Sequence, residues 1–165
     1  MTDFSHEYRM LPEHIETLRE YTGDVPVRVG ALAKALGLEV VIAALPLNIS
    51  GMIKPNDNGD GFVVKVNRFE SKVRQRFTIA HEIAHFLLHR DRIQSGVVDS
   101  VLYRSKLSSR AEAEANRLAA DIVMPRKQIG ASLELENTPF DDQIVEDLAD
   151  KFQVSKQAMS IRMRE

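Results

Sequence analysis

The chain has 165 residues and contains no cysteine and no tryptophan. Without thiols it can build neither a disulfide framework nor thiolate zinc sites, which excludes a secreted disulfide scaffold and permits a reducing compartment. Neither sign of charge prevails, since 22 Lys+Arg stand against 24 Asp+Glu for a formal charge of −2. With no global basic field, tight binding to nucleic acid through phosphate neutralisation alone is disfavoured, which leaves room for a local basic patch. A long apolar run is missing too. The longest, Val40 to Leu45, is far too short to cross a bilayer, and Met1 to Glu7 lacks the basic-then-apolar pattern of a leader. These absences give a cytoplasmic reading with no membrane contact. What is present, 44% hydrophobic residues in a chain of this length, suffices for a real core. Folding at that size removes about 68–70% of the unfolded surface from water, so any bound metal serves function and not stability.

With no repeat and no low-complexity tract, the chain is read segment by segment. Pro12 to Tyr21 predicts a helix, with Ile15 and Leu18 on one side and Thr22-Gly23-Asp24 ending it. Pro26 to Leu36 predicts a second, because Val29, Leu32, Ala33 and Leu36 form a stripe closed by Gly37. Strands are expected at Leu38 to Ala44, Ser50 to Ile53 and Phe62 to Val66, where the composition becomes β-branched. Asn56 to Gly61 has turn chemistry and makes Met52 to Val66 an antiparallel hairpin. Helical pattern returns from Lys72 to His89 and from Ser108 to Met124, where Pro125 marks the end, and Asp91 to Lys106 between them shows no periodicity. Two short helices follow, an acidic one over Asp141 to Phe152 and a more basic one over Gln153 to Arg164, joined with helix-turn-helix spacing from Leu148 to Met159. A plain helical hairpin would show the same apolar positions. The expected fold class is α+β, with a main domain over 1–128 and a C-terminal helical segment over 129–165.

The chemistry concentrates in Phe77-Thr78-Ile79-Ala80-His81-Glu82-Ile83-Ala84-His85-Phe86-Leu87-Leu88-His89. His81 and His85 lie one helical turn apart on one face, so both imidazoles can reach one ion, and Glu82 is placed to take a proton from a water activated there. Ile79, Ala80, Ile83, Ala84, Phe86, Leu87 and Leu88 surround the trio with apolar side chains. Unpaired ionisable groups on such a buried helix would be costly, and a metal satisfies them. A catalytic zinc needs a third protein ligand. His89 continues the row but lies about 12 Å along the axis from His81. Asp91 occupies the third-ligand position of another metallopeptidase pattern, yet Leu88 stands where that pattern requires glycine. Glu112 shares a helix face with Asn116, Ala119 and Ala120, and the small alanines permit close approach of that face to another helix. Glu112 is therefore the expected third ligand. Glu114 points away from that face and reads as a solvated charge or one that supports the ligands from behind.

Arg76 through His85, Glu112 through Asn116 to Met124-Pro125, and Phe152-Gln153-Val154-Ser155 with Ala158 together resemble the ImmA/IrrE metallo-endopeptidases of mobile elements and stress-response regulons. The resemblance runs over roughly Val25 to Arg164 and departs from the family at Leu118, where phenylalanine is common. It implies a zincin-like fold, one zinc ion per chain (manganese being the alternative) at His81, His85 and Glu112, and a Glu82-assisted water. Asn116, His89 and Tyr103 are further candidates for touching substrate, stabilising the oxyanion or supporting the ligands. The sensor domain of some longer relatives is expected to be absent. The partner implied is a helix-turn-helix repressor of XRE type, cleaved to relieve repression, with direct DNA binding disfavoured by the acidic helix. An alternative from another class is a non-catalytic regulatory module that binds the repressor or DNA. In the enzymatic reading, the edge of strand Phe62 to Val66 holds an extended substrate by β-augmentation, and Asp91 to Lys106 is long enough to cover the cleft.

Overall fold

A computed structural model describes residues 3–94, 109–136 and 141–165. After a single 3-10 turn at Glu7–Arg9 come α1 (Pro12–Tyr21), α2 (Val29–Ala35), β1 (Leu38–Ala43), β2 (Gly51–Pro55), β3 (Phe62–Asn67) and α3 (Lys72–Gln94). The helices α4 (Ser109–Val123), α5 (Arg126–Glu136), α6 (Asp142–Phe152) and α7 (Lys156–Arg164) complete the chain. This is the expected α+β class, a small sheet packed against helices. Among the described residues no helix is long and apolar enough to cross a membrane.

The strands are ordered β1-β3-β2, with β1 parallel and β2 antiparallel to the central β3. The hairpin forms as read, its turn closed by Asn56 N–H donating to the Gly61 carbonyl at 2.9 Å, with Gly59 and Gly61 at positive φ. One expectation is overturned. Strand Phe62 to Val66 has no free edge, because β1 and β2 bond to both sides of it. Phe62, Val63, Val64 and Val66 are all buried, the near-continuous apolar run of an interior strand. Among the described residues, the open edges belong to β1 and β2. Of these, β2 lies against α3, and glycine is required where they meet. A Cβ on Gly51 would collide with the Thr78 side chain and stand 2.8 Å from the Lys65 carbonyl oxygen.

The middle of helix α3, from Thr78 to Leu87, is buried all round and runs through the core, with Ala80, Ile83 and Ala84 fully buried. Its backbone leaves helical geometry at His89. The segment read as aperiodic is helical from Asp91 to Gln94 and otherwise lies outside the described residues, as does Tyr103. Helix α5 has no counterpart in the sequence reading. Pro125 both ends α4 and opens α5, its carbonyl accepting from Gln128 N–H and Ile129 N–H at 3.0 Å each.

The C-terminal helices begin on side-chain caps, Asp141 accepting from Ile144 N–H at 2.9 Å and Ser155 from Ala158 N–H at 3.0 Å. Leu148, Phe152 and Met159 join the same apolar cluster as Leu18, Val64, Ile83 and Leu118. Polar ties supplement that contact. Arg76 of α3 donates to the carbonyls of Gln153 and Phe152 at the end of α6, and burial lowers its pKa. Arg162 of α7 is buried and donates to Asp121 of α4 at 2.7 Å and to the Met124 carbonyl at 3.1 Å. The other Asp121 oxygen accepts from Ser5 N–H at 2.6 Å.

Removing one member of a buried pair leaves the other charged and unpartnered. Arg162→Met is therefore expected to lower stability by about 3–5 kcal/mol in chemical denaturation, with Asp121→Leu/Arg162→Met recovering much of the loss. A single-variant loss below about 1 kcal/mol would show that water reaches the pair.

Candidate metal centre

Two helices converge to make the site. On α3, His81 and His85 follow one another at i,i+4, and their Nε2 atoms lie 3.0 Å apart with ring planes nearly perpendicular. On α4, Glu112 reaches across with Oε2 3.3 Å from His81 Nε2 and Oε1 3.2 Å from His85 Nε2. The ligand atoms of these three residues all fall within 4.8 Å of one another. The approach is possible because alanines line the helix contact. Ala80 and Ala84 on α3 and Ala115 and Ala119 on α4 are wholly buried.

His81, Glu82 and His85 are buried, with Glu82 1% exposed. Burial pushes the Glu112 carboxyl upward in pKa, but the imidazoles of His81 and His85 more than offset it and hold the group well below the usual carboxylate range. Its Oε1 is nevertheless buried without a hydrogen bond of good geometry, although His85 Nε2 is near. Three ligand atoms thus cluster, with one carboxylate oxygen left without a hydrogen bond. Two imidazoles and one carboxylate, clustered and dry on one side, fit a divalent ion of the zinc type.

The site opens on a cavity of about 410 Å³ lined by His81, Glu112, Asn116, Phe77, Thr78 and Ala158. A second cavity of about 570 Å³ adjoins it, sharing Phe77, Asn116 and Ala158. Asn116 therefore stands at the mouth, beside Glu112. His89 is absent from both linings. It lies behind His85, its Nδ1 3.0 Å from His85 Nδ1 and its Nε2 3.0 Å from Glu114 Oε2. Burial lowers the His89 pKa, and the hydrogen bond with Glu114 opposes that shift only in part.

Of the two readings of Glu114, the structure excludes a solvated charge and agrees with one that supports the ligands from behind. Glu114 is buried, accepts from Arg9 Nη1 at 2.7 Å and from Arg110 Nε at 3.1 Å, and its pKa is lowered to about 2, first by Arg9 and then by His89. Sequence reasoning missed Arg9 altogether. The signal for Glu114 was the row His81, His85, His89, whose last member needs an acceptor on the facing helix.

Residues 33–164 match the family model of the IrrE N-terminal-like domain, Peptidase M78. Among solved structures, a Mycobacterium tuberculosis transcriptional regulator shares the fold with a TM-score of 0.58 at 20% identity. The match covers 90% of this chain but 45% of that one, so the chain spans about half its length. Comparison with curated proteins gives no match.

One divalent ion per chain is expected in metal-replete protein, measured by elemental analysis. His81→Ala and His85→Ala should each abolish stoichiometric binding, and retention of the parent stoichiometry in both would refute the ligand set.

Proposed function

Since the chain belongs to the Peptidase M78 family of IrrE N-terminal-like domains, we propose that it is a cytoplasmic zinc-dependent endopeptidase of regulatory type. Its substrate is a helix-turn-helix repressor of XRE type, cut so that repression is relieved. The observation that carries this reading is the convergence of His81, His85 and Glu112 at an open cavity, with the buried Glu82 next to His81 in the chain. A bound ion supplies Lewis acidity that polarises a peptide carbonyl and makes water a competent nucleophile. The residues of the chain do the rest. His81 and His85 contribute neutral nitrogen donors and Glu112 the single charge that fixes the ion. Glu82 accepts a proton from the attacking water as its oxygen bonds to the carbonyl carbon, and returns it to the amine nitrogen as the C–N bond breaks. Asn116, at the cavity mouth, offers an amide donor to the substrate backbone.

An extended peptide needs a strand edge, and the one nearest the cavity is that of β2. Ser50, which precedes β2, lines the cavity, and backbone groups on this edge are placed to pair with substrate. The opposite wall comes from the C-terminal helices through Val154, Ser155 and Ala158. Facing the cavity, this wall suits partner recognition better than contact with DNA phosphates, and the −2 charge of the chain agrees.

Glu82→Gln keeps the shape of the side chain but removes the base. It should retain fold and metal while lowering cleavage of the cognate repressor by at least about 10²-fold, read by gel and mass spectrometry. Parent protein should cut the repressor at a single site and leave casein nearly intact. Repressor binding without cleavage, equal in parent and Glu82→Gln, would make the chain a non-catalytic module.

A further inference from the structure

Behind the metal centre, on the side of His85 away from the cavity, a continuous line of polar contacts runs out to the N-terminal segment. His85 Nδ1 meets His89 Nδ1 at 3.0 Å, and His89 Nε2 meets Glu114 Oε2 at 3.0 Å. Arg9 then donates to the same Glu114 oxygen at 2.7 Å, and its other terminal nitrogen donates to the Leu88 carbonyl at 3.2 Å. Both histidines are buried, so the His85–His89 and His89–Glu114 contacts are not readily exchanged for ones with water.

Proton inventory fixes the direction of the line. Two neutral imidazoles meeting through Nδ1 atoms share one proton between them. A carboxylate only accepts, so Glu114 requires the His89 proton on Nε2, which leaves His89 Nδ1 as an acceptor. His85 must then carry its proton on Nδ1, which frees its Nε2 lone pair for an ion held jointly with His81 and Glu112. Starting instead from His85 as a ligand through Nε2 gives the same assignment. The two ends agree, and the arrangement has one consistent tautomer state.

Arg9 belongs to the turn Glu7–Arg9, ahead of the family-matched residues 33–164. That turn is pinned from several sides. Arg19 of α1 donates to Glu7 at 2.8 Å and to Asp3 at 2.9 Å, Ser5 N–H binds Asp121, and Phe4 and Met10 are buried in the core. The guanidinium is thereby held on Glu114.

We propose that His89 and Glu114, capped by Arg9, are positioning residues that lock His85 as an Nε2 ligand, so that the N-terminal segment sets how tightly the centre holds its ion. This rests on the metal-binding reading above. Supporting contacts of this kind change metal affinity by about 10–100-fold when removed, without changing the number of ions bound.

The test uses the full chain and zinc alone, with affinity measured by competition with a chelating dye. Glu114→Ala and His89→Leu should weaken zinc binding by about 10–100-fold at one ion per chain. Arg9→Ala, on a partly exposed side chain and tolerable to the fold, should weaken it less, Arg9→Lys should restore part of the loss, and Arg9→Ala should add nothing in the His89→Leu background. Imidazole ¹⁵N spectra of metal-free protein supply a second readout. Parent should show His85 protonated at Nδ1 and His89 at Nε2, with the His89 preference lost in Glu114→Ala. Unchanged zinc affinity in folded Arg9→Ala and Glu114→Ala, or an Arg9 effect undiminished by His89→Leu, overturns the proposal. Failure of the parent to bind zinc overturns the metal-binding reading instead, and the ¹⁵N spectra still decide whether the line of tautomers exists.

Discussion

The site exists because two helices lie close enough for one glutamate to span the gap between them. Glu112 has only two methylenes, and it must reach two imidazoles on α3 from a backbone on α4. Wholly buried alanines at positions 80, 84, 115 and 119 let the helix backbones come together. Larger side chains in that contact would push the two backbones, and with them the carboxylate, apart. The same closeness dries one side of the centre, which makes each buried donor costly unless it has a partner.

Much of this was readable in the sequence because its causes are local. The His81–His85 spacing is fixed by one helical turn, and Pro12 to Tyr21 carries its own start and stop signals, so that helix matches to the residue. The turn at Asn56 to Gly61 needed only glycine and asparagine in the right places. Strand order was different. Which of three short strands lies in the middle depends on pairing across the sheet, and the Phe-Val-Val start of β3, rich in apolar residues on both faces, pointed to the centre more than to an edge. Helix α5 went unread because Pro125 looks like an ending, and a proline that stops one helix can equally start the next. Arg9 and Glu114 are 105 positions apart, and no pattern along the chain links a short N-terminal turn to a glutamate so distant. The position of Glu114 two residues after Glu112 left open whether it was solvated or supported the ligands from behind, and only its buried surroundings decide for the second.

Helix α4 gathers these contacts. Its buried or half-buried acids each face a different part of the molecule: Glu112 the imidazoles of α3, Glu114 the N-terminal turn and His89, Asp121 the C-terminal helix and Ser5. Acids on a helix normally face water. Here each has become a joint, and the helix carries position information from both ends of the chain to the centre.

The joint at Asp121 bears on what can enter the cavity. Swinging α7 outward would strip a buried carboxylate of its guanidinium, which makes such an opening costly. The slot between β2 and the C-terminal helices therefore keeps a set width. On the peptidase reading proposed above, a slot held in this way would favour a bare backbone over a folded helix, and a protein presented to it would be selected by how readily a stretch of its own chain unravels. Discrimination on that reading would reside partly in the local stability of the substrate, and a protein that holds its structure tightly would be spared however closely its sequence matches.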